Sequence, residues 1–199
     1  MTTVLPPLLE AEVQEVVAPY PKVTGGVLTA PLGTTLPTDA TSALDPAFIT
    51  LGRVSVEGVD RTEERPNTEV NDWGGDLIAI LQDKYGLTIK FKLMQMMNAD
   101  VQRAAHGAAN VTVTPPTSTS GTLISAKLNR ELLPYQSWVI DAYYLQMNMR
   151  LVIPTGRITL VGPLKWVHKE LAMFDLTLRP FPDGYNNHAY EYWDDGQPL

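Results

Sequence analysis

Nineteen residues, NMRLVIPTGRITLVGPLKW from Asn148 to Trp166, constrain this chain most, because they read as two strand patterns and carry no chemistry. Leu151, Val152 and Ile153 form one apolar run, and Ile158, Leu160 and Val161 form the next. Pro154-Thr155-Gly156 between them supplies the residue types of a turn, so the segment reads as a hairpin hinged there. The same period of two recurs in Leu87, Ile89, Phe91 and Leu93, and again in Phe174, Leu176 and Leu178, with polar residues in between. A chain patterned in this way is mainly β.

Further strand patterns lie at Val27 to Ala30, Phe48 to Leu51, Val54 to Val56, Leu77 to Leu81, Val111 to Val113, Thr122 to Ala126 and Ser137 to Tyr143. A hairpin is the simplest link from the continuously apolar Leu77 to Leu81 into the alternating strand after Gly86. A single helix is expected over residues 98–106. Asn98 caps it, Asp100 sits in its first turn, Arg103 and His106 lie near its end, and Gly107 terminates it. Between strands, DRTEERPNTEVNDWGG over residues 60–75 is too dense in charge for a core and reads as a long loop. Loops of that length in compact domains tend to be functional, which makes Arg61, Glu63, Glu64, Arg65 and Trp73 candidate contact residues.

Residues 1–26 read as an amino-terminal arm, in which Leu9, Val13, Val16 and Val17 form an apolar stripe opposite Glu10, Glu12 and Glu15. About ten residues are too few to hold an isolated helix in water, so this stripe needs something to dock on. Residues 183–199 read as a second arm, without periodicity and rich in aromatics: Tyr185, Tyr190, Tyr192 and Trp193. These four suit an interface with another subunit, stacking on sugar rings, or packing onto the same chain. The strand-rich body between the arms spans 27–182.

Chemistry is hard to place. The chain has three histidines, His106, His168 and His188, and no nucleophile motif surrounds any serine. Gly25-Gly26 and Gly74-Gly75 lack the lysine and the spacing of a phosphate loop. Asp183, His188, Asp194 and Asp195 have no order that suits calcium, and cysteine is absent, which removes disulfides and thiolate metal sites. Neither enzymatic activity, nor a cofactor, nor a metal is expected. A formal charge of −7 argues against a broad phosphate-gripping face. No apolar run approaches the length of a membrane helix, and the acidic amino terminus lacks the basic region of a secretory signal.

Four segments occur in a telling order: APLGTTLPTDATSALDPAFITLGRVSVEGV, NDWGGD, NADVQRAAHGAANVTV and LVIPTGRITLVG. Together they resemble the major tail proteins, or tail tube proteins, of long-tailed siphophages, over roughly Gly26 to Gly184. The resemblance implies a tail-tube-type β-sandwich or barrel of antiparallel sheets with one flanking α-helix and extended terminal arms. It also implies hexameric rings that stack into a hollow tube through which genomic DNA passes during ejection without specific binding. The loop at 60–75 and both arms would be the stacking elements. Partners would be further copies of the chain and the tape measure, tail terminator and distal tail proteins, with no membrane. The location would be the virion tail, preceded by the host cytoplasm during assembly. A tail terminator, the tube protein of a contractile machine, and a carbohydrate-binding β-sandwich using the aromatic tail are the rival readings.

Overall fold

Pro154-Thr155-Gly156 does not reverse the chain. It lies inside a single strand of 15 residues, Met147–Val161, that runs through the middle of the largest sheet. The computed structural model describes residues 16–22 and 25–197. In chain order its first strands are β1 (Tyr20–Pro21), β2 (Val27–Pro31), β3 (Ile49–Thr50), β4 (Val54–Glu64), β5 (Asn67–Asn71), β6 (Leu77–Gln82) and β7 (Gly86–Leu93). Helix α1 (Ala99–His106) and a 3-10 turn (Ala108–Asn110) follow, then β8 (Val111–Thr114) and β9 (Leu123–Ala126). The chain continues through β10 (Gln136–Tyr144), β11 (Met147–Val161), β12 (Phe174–Pro180) and β13 (Tyr190–Asp194). Nine strands form one antiparallel sheet in the order β3-β2-β10-β11-β12-β7-β4, with β1 added to β10 and β13 to β11. The fold is mainly β with one α-helix among the described residues, as the sequence pattern implies.

The expected hairpin at Pro154 is corrected by the pairing. Along β10, Trp138 pairs with Ile153 and Gln136 with Gly156, so β11 carries one extra residue there, a bulge. On its other edge β11 pairs with β13 from Asn148 to Val152 and with β12 from Gly156 onwards. Pro154 therefore falls in the gap between two partners, where its missing N–H removes no ladder bond. Ser137 Oγ donates to the Pro154 carbonyl at 2.8 Å and the Phe181 N–H to that of Thr155 at 2.8 Å. A Cβ on Gly156 would sit 2.9 Å from Leu178 Cδ1 and 3.1 Å from Trp138 Cδ1, so glycine is kept here for close packing. The reversal lies instead between β10 and β11, at Leu145-Gln146, where Leu145 takes a φ of 54°.

The two faces of β10 and β11 bury different cores. On one, Trp138 and Ile153 join Ile89, Phe91 and Leu93 of β7, Phe174, Leu176 and Leu178 of β12, and Val101, Ala104 and Ala105 of α1. Those helix positions are spaced i, i+3, i+4, one face of the helix. The Asn98 side chain accepts the Asp100 N–H at 2.8 Å, and Gly107 ends the helix at a positive φ of 87°, with ψ 139°, a conformation that favours glycine. On the other face Val139 and Val152 pack with Leu28, Ala30 and Phe48, with Leu36 and Leu44 from residues 32–48, and with Tyr190 and Tyr192.

A buried ion pair closes this second core. Asp141 and Arg150 are cross-strand partners, only 3% and 2% exposed, joined by Nε to Oδ1 at 2.6 Å and Nη2 to Oδ2 at 2.9 Å. Arg150 Nη1 also donates to the carbonyls of Asp39 at 3.0 Å and Ser42 at 2.9 Å, which pins the long segment 32–48 over the sheet.

Two expectations follow. Arg150→Met leaves Asp141 buried without a counter-ion and lowers unfolding free energy by about 3–5 kcal/mol, most of which the double change Arg150→Met/Asp141→Leu restores; urea denaturation checks both. The His106 ring lies edge-on to Phe174 with centroids 5.5 Å apart, and burial pushes its pKa below the ordinary 6.5, outweighing the favourable helix end. The folded ring accepts a proton less readily than the unfolded one. Stability is therefore full above about pH 6.5 and declines as pH falls from there through the depressed folded pKa. Urea midpoints measured against pH should lose that decline in His106→Gln.

Candidate assembly surfaces

Residues 60–75 are not a loop. Asp60 to Glu64 complete β4 opposite β7, Asn67–Asn71 is β5, and the turn is confined to residues 72–76. Nor do β6 and β7 pair with each other, since β6 pairs with β5 and β7 with β4. The result is a long two-stranded ribbon that leaves the main sheet beyond Glu64 and Gly86. Its charge did not exclude strands, because a ribbon outside the core solvates both of its faces.

Strand β6 of this ribbon carries apolar side chains on both of its faces. Leu77, Ile78, Ile80 and Leu81 on β6 and Val70 on β5 are all exposed, Ile78 by 67%, and consecutive strand residues point to opposite sides. At the tip Trp73 is fully exposed. The tip is shaped by Asp72, whose carboxylate accepts the Asp76 N–H at 2.9 Å, and by Gly75 at φ 92°. A lone two-stranded hairpin is at best marginal in water, and large contiguous apolar patches on single subunits mark contact sites.

The base of the ribbon is fastened to the chain's own end. Arg61 on β4 forms an ion pair with Glu191 on β13, and that hydrogen bond holds the guanidinium pKa above its ordinary value. Glu63 accepts Arg65 Nη2 at 3.2 Å, Arg65 lies over the Tyr85 ring at 4.8 Å, and Tyr85 meets His188 edge-on at 4.8 Å. These groups line a cleft of about 630 Å³. Arg61, Glu63 and Arg65 are thus engaged within the subunit, while Glu64 ends β4 opposite Gly86 with its surface exposed.

The carboxyl-terminal segment is no detached arm. Residues 190–194 are a strand of the main sheet, and Tyr190 and Tyr192 are half-buried on the second core. Tyr190 donates its hydroxyl to Asp183 at 2.6 Å, and the N–H groups of Tyr185 and Asn187 donate to the same carboxylate at 2.8 and 2.9 Å. These bonds hold the Asp183 carboxyl below its ordinary 3.8 and push the Tyr190 hydroxyl above its ordinary 10.0. Trp193 and Tyr185 remain exposed. At the other end Val16 is exposed and Val17 half-buried, and Leu9 and Val13 lie outside the described residues.

The sequence reading missed the Asp141–Arg150 pair. Its signal was present: opposite charges at inward positions, two residues from Val139 and Val152, on strands that otherwise alternate. The continuous run Leu77 to Leu81 likewise signals a strand apolar on both faces. Among the described residues no group of three or more His, Asp or Glu side chains is placed to hold a metal, and no helix is long and apolar enough to cross a membrane.

Fold and surface together define a mainly β antiparallel chain with an apolar ribbon that is uncovered among the described residues. No family model and no curated protein matches the chain. Among solved structures it is similar to an extracellular contractile injection system, the PVC sheath–tube complex in its extended state, at 10% identity over 91% of this chain and 95% of that one. The TM-score is 0.37, too low to bear on function.

The Asp183 turn generates a pH expectation. Its carboxyl is held below the ordinary value, so its contribution is present above about pH 3.8 and is lost as pH falls through the depressed folded pKa. Hydrogen exchange at the Tyr185 and Asn187 amides should stay slow down to that range, and Tyr190→Phe should move the loss of protection to higher pH.

Proposed function

We propose that this protein is a structural virion component, the tail tube subunit of a long-tailed bacteriophage, which forms hexameric rings that stack into a hollow tube for DNA. The observation that carries this reading is the ribbon of β5 and β6, where the apolar side chains of β6 and the tip tryptophan have no cover among the described residues. A single chain gains nothing from such an element in water. A repeating assembly buries it in every copy.

The sheet supports the same reading. Its strand order has two ends, β3 and β4, and unpaired strand edges are templates for another chain. A net charge of −7 suits a conduit, because carboxylates repel DNA phosphates over about 8 Å at physiological salt and leave the polymer free to slide. The partners of this reading are identical copies and the tape measure, tail terminator and distal tail proteins, in the virion tail after assembly in the host cytoplasm. The chain acts without catalysis or a cofactor. Packing of the half-buried Tyr190 and Tyr192 against the second core weakens the carbohydrate-binding alternative, since of the four aromatics only Tyr185 and Trp193 are exposed.

Electron microscopy of the purified protein should show rings or tubes, and a strictly monomeric species across concentration and salt would overturn the proposal. Ile78→Glu/Leu81→Glu places a carboxylate on each ribbon face. Each buried aliphatic side chain contributes about 1.5–3 kcal/mol, so assembly should need at least about a hundredfold more protein, while the thermal midpoint of the dispersed subunit stays unchanged.

A further inference from the structure

A second apolar surface lies outside the ribbon. Residues 127–135 run beside the end of α1 and the last residues of β11, leaving a groove of about 470 Å³ lined by Leu128, Leu132, Leu133, Leu160, Val161 and Phe181. Leu128, Leu132 and Leu160 are all exposed. The rim is cationic and unsatisfied. Lys127 and Arg157 border the groove, Arg130 lies in the same segment, and none of the three has an ion-pair partner among the described residues. The Arg157 guanidinium rests 3.7 Å over the Tyr135 ring, and its buried Nε has no acceptor. The rim carboxylate, Glu131, accepts from Asn129 at 3.2 Å. Such a groove calls for apolar side chains flanked by carboxylates.

We infer that the groove receives the amino-terminal segment of a neighbouring copy of this chain, an inference that rests on the reading that copies associate head to tail. Leu9, Val13, Val16 and Val17 form one stripe at helical spacing. At 100° per residue only Glu15 lies opposite the stripe, while Glu10 and Glu12 flank it, about 75–85° to either side of its centre. The first 17 residues carry these three glutamates and no Lys or Arg, the complement of the rim. Val16, where the stripe enters the described structure, is exposed on its own subunit.

Reach decides that the groove belongs to another copy. Tyr20 pairs with Tyr143, which pairs with Asn148, so the segment leaves the sheet at the start of β11. The groove lies at the far end of β11, beyond Ile158, about ten strand residues or roughly 33 Å away along the strand. Even fully extended, the seven residues from Tyr20 back to Val13 span at most about 25 Å. Head-to-tail stacking brings the start of β11 in one copy towards the end of β11 in the next.

The absence of cysteine makes the test direct. Full-length Val13→Cys and Leu132→Cys proteins, with melting temperatures matching the unmodified chain, are mixed, assembled and oxidised. The expected product is a disulfide-linked dimer of the two variants, about tenfold above that from Val13→Cys mixed with Leu77→Cys on the ribbon, because docking raises the local concentration. Val16→Cys with Leu128→Cys should link in the same way. Arg157→Glu in the groove partner should abolish the link, and Glu12→Arg in the arm partner should restore it. Tubes by electron microscopy without the dimer would overturn the inference and leave the tube reading standing. The dimer without tubes would support the docking and overturn the tube reading. Linkage within one chain carrying both cysteines would overturn the inference.

Discussion

Everything in this subunit is organised by one strand that serves two sets of neighbours. Along one edge β11 is hydrogen-bonded to β10, and along the other it passes from β13 to β12 at the bulge formed by Pro154 and Thr155. A proline in mid-ladder would remove a bond, whereas here it marks the place where no bond is available. Because alternate residues of β10 and β11 face opposite ways, this junction also fixes what each core contains. Trp138 and Ile153 seal the helix-bearing side, and Val139 and Val152 seal the side closed by residues 32–48.

The second side is thin, and its stability depends on a charged pair. Asp141 and Arg150 are expensive to bury apart from each other, and together they satisfy each other and two loop carbonyls. Where the subunit could have used more hydrophobic contact, it uses a geometric lock, and the apolar side chains that remain are displayed outside. The ribbon and the groove by Leu132 are two such displays.

Much of the interior was legible from residue order. Leu87, Ile89, Phe91 and Leu93 are all buried as their alternation implied, and Asn98 caps α1 through its side chain. Turn chemistry misled where a bulge and a turn use the same residues, since Pro-Thr-Gly suits both and only the ends of β12 and β13 decide between them. The true reversal at Leu145 carries no glycine or asparagine, so no local signal existed. Of the candidate contact residues, Trp73 is exposed at the tip of the ribbon rather than at the end of a loop. Arg61 and Tyr190 are taken up inside the subunit by Glu191 and Asp183, partners 130 and 7 residues away. Only the first of those partnerships depends on long-range folding, and neither has a motif.

The fastening of Arg61 to Glu191 also sets an order in time. Ribosomes deliver the ribbon of residues 67–82 well before they deliver Glu191. A nascent chain therefore shows its sticky outrigger before the anchor that fixes its bearing has been made, so the outward geometry is defined only once Glu191 has emerged and folded onto Arg61.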